Sequence, residues 1–407
     1  MSLKNYLPFV VVIVVLIALL AGVLFLILPA NGSRIDREAD QQGIGFSTDA
    51  VRAQVVEILE EGEIQLGEVT QRYQLLRVEV LEGEYQGVQF DVDYGRRQIR
   101  PAGLNLSPGD RVIVNISKNQ QNLLQARFVD FVRTRPLLIL FATFVLFSVL
   151  ISGWKGVRGL LGMGISIAVI TFYIIPQILQ GKDPVLISVS GAFFLLAISL
   201  YLVYGWTLKT HSAVLGTLIS LIITALLASY FVDLTRLTGF GSEDALFLIQ
   251  QSEVTLNMQG LVLGGMLIGA LGVLDDLVIT QASVVFELYL LNPDQELVPL
   301  YRRAMRVGQD HVAATVNTLV LAYAGAALPM FLLFSISGEN LGTLLNLEYV
   351  AEEVVRTMVG SLGLIAAVPL TTLMASLIAI KAPGDGPLRR YLGPLTAEGD
   401  GHIGHRH

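Results

Sequence analysis

Cysteine is missing from the 407-residue chain, which excludes disulfides, thiol catalysis and cysteine-ligated metal sites. Charge is scarce as well. Asp, Glu, Lys and Arg make up 15% of the residues, against about 25% in soluble domains. The net charge of −7 and the lack of any basic stripe argue against a nucleic-acid partner. No nucleophile elbow, Walker loop, HExxH pair or glycosyl-transfer signature occurs, so neither an enzymatic activity nor a cofactor is expected. The tail carries His402, His405 and His407 in a segment that reads as disordered, and the question of a metal stays open.

What the chain has in abundance is apolar residues, 53% of the total. A first uncharged run, Leu7 to Leu28, is long enough to cross a bilayer and lacks the small-residue exit of a cleaved signal, so residues 1–30 read as an anchor. Residues 31–134 change character. Segments such as Arg52-Ala-Gln-Val-Val-Glu-Ile-Leu and Arg111-Val-Ile-Val-Asn-Ile alternate apolar with polar positions, and Glu82-Gly83, Gly95 and Ser107-Pro-Gly-Asp110 mark turns between them. That pattern predicts about five short strands and a small all-β barrel of the OB type, serving as a packing or docking module.

From 135 to 381 the chain predicts seven further spans, near 137–153, 159–178, 184–204, 212–232, 260–288, 313–336 and 356–380, with 382–407 as a tail. Basic residues sort by side. Starting from a cytoplasmic N-terminus, eleven Lys and Arg fall on inside segments and three on outside connections of the later spans, Lys182, Arg236 and Arg356. The expectation is an eight-helix polytopic protein of the plasma membrane, with both termini cytoplasmic and the β-rich domain outside. The outside connections, 233–259 and 337–355, are acidic, as expected where selection for basic residues is absent.

One span carries two acids in its middle, Asp275 and Asp276. Single helical turns along it join Gly265, Gly269, Gly272, Asp276, Thr280, Ser283 and Glu287 on one narrow face, about 33 Å long. A carboxyl at mid-span is costly, which makes Asp276 the first candidate for carrying a proton or coordinating a cation. Asp275 is turned about 100° away, and two carboxyls so close in an apolar site are expected to share a proton. The three glycines suit close helix packing, Thr280 and Ser283 can bond back to their own helix, and Glu287 can pair with Arg302, Arg303 or Arg306. The next span begins with a basic interfacial stretch and carries Asp310, His311 and Asn317, a candidate relay; Gly325 and Pro329 should bend it. Arg356 can satisfy Glu352 or Glu353 one turn back, and Pro369 should break the last helix.

The blocks Gly269-Ala-Leu-Gly-Val-Leu-Asp-Asp276, Gly308-Gln-Asp-His311 with Asn317 to Pro329, and Arg356-Thr-Met-Val-Gly-Ser361 with Val368-Pro-Leu-Thr371 resemble the YibE/F-like family of multi-pass membrane proteins. The resemblance covers roughly 130–380 and implies a plasma-membrane protein with an extracytoplasmic module ahead of the spans. The family usually carries an arginine where Gln309 stands. The favoured expectation is a proton- or cation-coupled transporter of an ion or small solute, working through Asp276 with Asp275. The alternative is a non-transporting assembly or signalling protein whose external domain docks a partner. Partners to expect are the lipid bilayer, the small solute or ion, and a second copy of the chain or an extracytoplasmic protein.

Overall fold

The computed structural model describes residues 50–67, 69–97, 99–101, 103–118, 123–252, 254–338, 340–381 and 392–396. The expected anchor at 1–30 and the histidine-bearing end of the tail lie outside them. The described residues fall into two compact units divided between Leu150 and Ile151.

The first unit is built on five antiparallel strands: β1 (Ala50–Leu66), β2 (Val69–Val80), β3 (Gln89–Tyr94), β4 (Arg111–Lys118) and β5 (Leu124–Phe131), in the order β3-β2-β1-β4-β5. Gln74, Leu76, Val78 and Val80 are buried at every second position of β2, the alternation that the pleat imposes on a half-buried strand. Register shifts at Val55/Glu57 and Ile58/Glu60 mark bulges that bend the long β1. The outer strands β3 and β5 approach each other, and Tyr94 of β3 meets Phe128 of β5 with ring centroids 4.7 Å apart. Charge stays on the surface: Arg77 reaches across the sheet to Glu57 at 2.8 Å and Asp91 at 2.9 Å.

The helices are α1 (Thr134–Val169), which continues through a π-helical turn (Ile170–Ile174) into α2 (Ile175–Leu179), then α3 (Pro184–Tyr204), α4 (Leu208–Leu234), α5 (Glu243–Gln251), α6 (Met258–Leu291), α7 (Leu297–Ala326), α8 (Leu328–Ser337), α9 (Leu341–Leu344) and α10 (Glu348–Lys381). Their starts follow capping chemistry: Asp183, Thr207, Ser242 and Asn257 each accept a first-turn N–H. Five helical runs are long and apolar enough to cross a membrane, or six when α7 and α8 count as one bent span. Seven are expected from the sequence in this region. The run 134–179 counts as one of the five, but its backbone leaves helical geometry at Gly153, with φ 57° and ψ −134°. Two helices therefore meet there, at the end of the first of the two spans expected, 137–153 and 159–178. The α7–α8 pair bends by 60° around Ala327, between Gly325 and Pro329.

Pro369 does not break the last helix: α10 runs through it from Glu348 to Lys381. The lost N–H leaves the carbonyl of Ile365 without its helical partner, a cost that packing on both sides of the proline offsets. The core of this unit is the mutual packing of α4, α6 and α10, with α3 against α6 and α7 against α6 and α10. Small residues allow these approaches. A Cβ on Gly216 would lie 2.3 Å from Thr371 Oγ1, and one on Gly363 would lie 2.2 Å from Thr224 Oγ1.

Candidate functional site

Asp275 and Asp276 are the eighteenth and nineteenth residues of the 34-residue α6, its centre. The helix presents two unlike faces there. Gly260 and Gly264 press on Pro184 and Ser188 of α3, and single turns from Gly264 through Ile268 and Leu271 arrive at Asp275. Asp275 is therefore on the side packed against α3. Its Oδ1 is buried and has no hydrogen-bond partner. Asp276 is exposed among the described residues, as are Gly265, Gly269, Gly272 and Glu287, while Thr280 and Ser283 are half-buried. The polar stripe expected from the sequence is thus one continuous open face.

The glycines of that stripe have few neighbours. A Cβ on Gly265 or Gly272 meets nothing within 4 Å, and one on Gly269 meets only Tyr323 Oη of α7 at 3.6 Å. Close glycine contacts occur instead at others, among them Gly191, Gly216, Gly264, Gly308 and Gly363, which residue type alone did not separate from the stripe. Ser283 donates to its own helix at Ile279 O, 2.9 Å away. Among the described residues Glu287 makes no ion pair with Arg302, Arg303 or Arg306.

On α7, Asp310 and Asn317 are exposed and His311 is half-buried. The helix is fixed mainly by its first half, where Leu300, Ala304 and Gly308 are its buried residues. Gly308 touches Gln281 and Val368, which sets Asp310 and His311 at the level of the α6 turn after Asp276. Gln281, 1% exposed, is a node that sequence reasoning passed over. Its Nε2 donates to Ala304 O at 3.1 Å and to Thr372 Oγ1 at 2.7 Å, tying α6, α7 and α10 together. A polar residue on an otherwise aliphatic face of the span was the available signal. A second omission is Tyr204, the last residue of α3, which is half-buried against the core that α3 shares with α6. Nothing in the sequence separates it from the aromatic residues that commonly end a span.

Among the described residues, the acids of the 337–355 connection are occupied. Glu348 accepts hydrogen bonds from Thr238 N–H at 2.6 Å, its hydroxyl at 2.7 Å and Gly239 N–H at 2.8 Å. Arg356 pairs with Glu352 at 2.5 Å and Glu353 at 3.1 Å, the one-turn-back arrangement.

The helices that build this site are the part of the chain that a family model recognises. The YibE/F-like protein model matches residues 140–381, more than half of the chain and all of α6, α7 and α10. The chain belongs to the YibE/F-like family. No curated protein and no solved structure matches it. In this YibE/F-like chain the acid pair, the Gln281 node and Tyr204 all fall inside the matched region, and the strand unit precedes it. Gln309 is exposed on α7. With its apolar helices the chain is a membrane-embedded protein.

Proposed function

We propose that the chain is a transporter in which Asp275 and Asp276 couple movement of an ion or small solute to protons or cations. The observation that carries this reading is the pair itself. One carboxyl oxygen is buried without a partner at the centre of an apolar helix, beside a second carboxyl on an open face. A carboxyl in that setting is costly to keep and is suited to exchanging a proton or binding a cation. Asp276 meets the arriving ion on the open face, and Asp275 holds the shared proton on the packed side. In this reading the protein lies in the plasma membrane with both termini cytoplasmic and the strand unit outside, a topology supported by the distribution of Lys and Arg. The five antiparallel strands, closed by the approach of β3 to β5, suit a small OB-like barrel.

The test is proton and cation flux in proteoliposomes, read by an internal pH dye while solutes and cations are added outside. Asp276→Asn and Asp275→Asn are expected to abolish a coupled flux that the unaltered protein supports, with elution and thermal unfolding unchanged. Flux equal to that of the unaltered protein in both variants would sink the reading. A second reading, a docking protein without transport, draws on the separate core of the strand unit. It would be favoured if Asp276→Asn were silent in cells while deletion of residues 40–130 abolished the phenotype.

A further inference from the structure

Two contacts set α7 antiparallel beside α6. A Cβ on Gly308 would lie 2.9 Å from Gln281 Nε2, and one on Gly269 would lie 3.6 Å from Tyr323 Oη. By the helical rise, Glu287 then stands level with Arg303, Thr280 with Asp310 and Val273 with Asn317, to within one turn.

These level residues do not meet within one chain. Arg303, Arg306, Asp310, Ala313 and Asn317 recur at steps of three or four, so they form one stripe of α7, and all five are exposed. That stripe is half a turn away from Ala304 and Gly308, by which α7 is packed. Asp276, Glu287, Arg303, Arg306, Asp310 and Asn317 have no hydrogen bond or ion pair among the described residues.

The two unpartnered stripes complement each other level by level. From the Glu287 end, α6 offers a carboxylate, then the hydroxyls of Ser283 and Thr280, then the Asp276 carboxyl. At the same levels α7 offers two guanidiniums, then a carboxylate, then an amide. Every group so placed faces one of opposite charge or matching hydrogen-bond sense. Copies of a membrane protein insert with one orientation, so rotating a copy about the membrane normal preserves these levels. Neither acyl chains nor the apolar run 7–28, which has no charged or hydrogen-bonding side chain, would satisfy a carboxyl at mid-span.

We propose that α7 of a second copy covers the Asp276-to-Glu287 half of the α6 stripe, and that α7 of the first copy does the same for the second. Arg303 and Arg306 of one copy meet Glu287 of the other, Asp310 accepts from the Thr280 hydroxyl, and the Asn317 amide stands beside Asp276. The Asp276 carboxyl is thus held in a polar seam between two copies, while the Gly265-to-Gly272 half of the stripe stays open as an approach to it. The seam does not depend on transport; giving Asn317 a place in the ion's path rests on the acid pair being the working site.

The cysteine-free chain permits a direct test by cross-linking in membranes. Two differently tagged full-length copies are co-expressed, one with Thr280→Cys and the other with Ala313→Cys, and treated with a short bismaleimide. A second pair, Gly272→Cys with Asn317→Cys, probes the level of Asp276. Both pairs are expected to give several-fold more mixed-tag product than the control pair Thr280→Cys with Leu226→Cys, whose second cysteine lies on an exposed position of α4. Glu287→Arg in both copies, or Arg303→Glu in both, should lower the Thr280–Ala313 product several-fold. Glu287→Arg in one copy and Arg303→Glu in the other should restore it, because each mixed dimer keeps one natural pair and gains one reversed pair. Rescue between copies also shows that the altered chains fold. The proposal is overturned if either cysteine pair gives no more product than the control, as when lipid or the chain's own residues cover the stripe, or if the mixed charge reversal yields no more than either reversal alone. Neither reading needs flux. A seam that cross-links as expected with no flux in any variant would refute transport alone, whereas flux through Asp276 in a protein that fails to cross-link would overturn the seam alone.

Discussion

Charges on the strand unit and the acid pair at the centre of α6 obey opposite rules. On the sheet, Arg77 has two carboxylate partners, Arg96 has Glu60 at 2.6 Å, and each of these groups is well exposed. Water would satisfy any of them, so these pairs contribute little and are interchangeable. At the centre of α6, one carboxyl oxygen of Asp275, Oδ1, is buried without a hydrogen-bond partner. Hydroxyls in the same bundle bond to their own helix, as Thr217 does to Ala213 O at 3.0 Å and Thr224 to Ser220 O at 2.8 Å. The rule has exceptions, since the Ser188, Thr371 and Ser376 hydroxyls are buried without a partner. Asp275 is nevertheless the one acid of this kind among the described residues, and an unpartnered carboxyl is the costliest of these groups to keep.

The largest effect expected is in the packing that surrounds that acid. Gly308→Leu would drive a Cβ to 2.5 Å from Val368 and 2.9 Å from Gln281, whose two hydrogen bonds join three helices. Overpacking combined with an orphaned buried amide should cost about 3–5 kcal/mol, seen as a steep fall in the melting temperature of the detergent-solubilised protein. Gly272→Ala on the open face of α6 should do the opposite. Nothing stands within 4 Å of its Cβ, and removing a helical glycine is worth about 0.5–1 kcal/mol. A loss of stability in Gly272→Ala comparable to that of Gly308→Leu would mean that the stripe is a packing seam after all.

Next in size is the acid itself. Asp275→Leu removes the unpartnered buried oxygen and should stabilise the bundle by about 1–3 kcal/mol while ending any coupled flux. Asp276→Leu, on the open face, should move the melting temperature little. If Asp275→Leu destabilised the protein, its carboxyl would have to be a structural anchor, and the contrast with the sheet would fail.

How much of this was legible in the sequence follows from the same contrast. The strands of the first unit announce themselves by alternation, since one face is wet and the other dry. In the bundle both sides of a helix are apolar, so hydropathy found the helices but did not say which face packs. It put Asp276 first because Asp276 shares a stripe with small and polar residues. The packed acid is Asp275, identified only by the position of Gly264 against Ser188. Likewise the glycine pattern named Gly265, Gly269 and Gly272, whereas the close approaches occur at isolated glycines facing Thr224, Thr371 and Gln281. Pro369 reads as a helix breaker because propensity is local, and tertiary packing on α4 and α6 carried the helix through it. The docking of residues 392–396 joins positions 181 residues apart, as in the bond from His211 to Leu392, and no local pattern encodes it.

Two smaller effects probe the other side of the comparison. Arg77→Ala breaks two exposed ion pairs at once and should still cost no more than about 1 kcal/mol, measured as the change in hydrogen exchange of the β1–β2 amides. A cost several times larger would mean that the sheet relies on its charges as heavily as the bundle relies on its packing.

The smallest effect is a pH dependence at the end of β5. Arg133 donates to Asp130 Oδ2 at 2.6 Å, and the Phe131 N–H donates to Oδ1 at 2.8 Å. The Arg133 guanidinium first, and the backbone N–H after it, hold the Asp130 carboxyl below its ordinary range against the opposing pull of slight burial. A carboxyl lowered in the folded state stabilises it fully above its unfolded value, about 3.9, and that contribution is lost as pH falls through the lower folded value. Protection of the β5 amides, corrected for intrinsic exchange, should therefore stay flat from neutral pH down to about 4 and decline below it. Arg133→Ala should remove most of that acid-side decline while leaving the neutral-pH plateau nearly unchanged, because the pair is exposed to water. If the decline persists without Arg133, the backbone N–H alone holds the carboxyl, and exposed ion pairs contribute even less to this unit than the comparison assigns them.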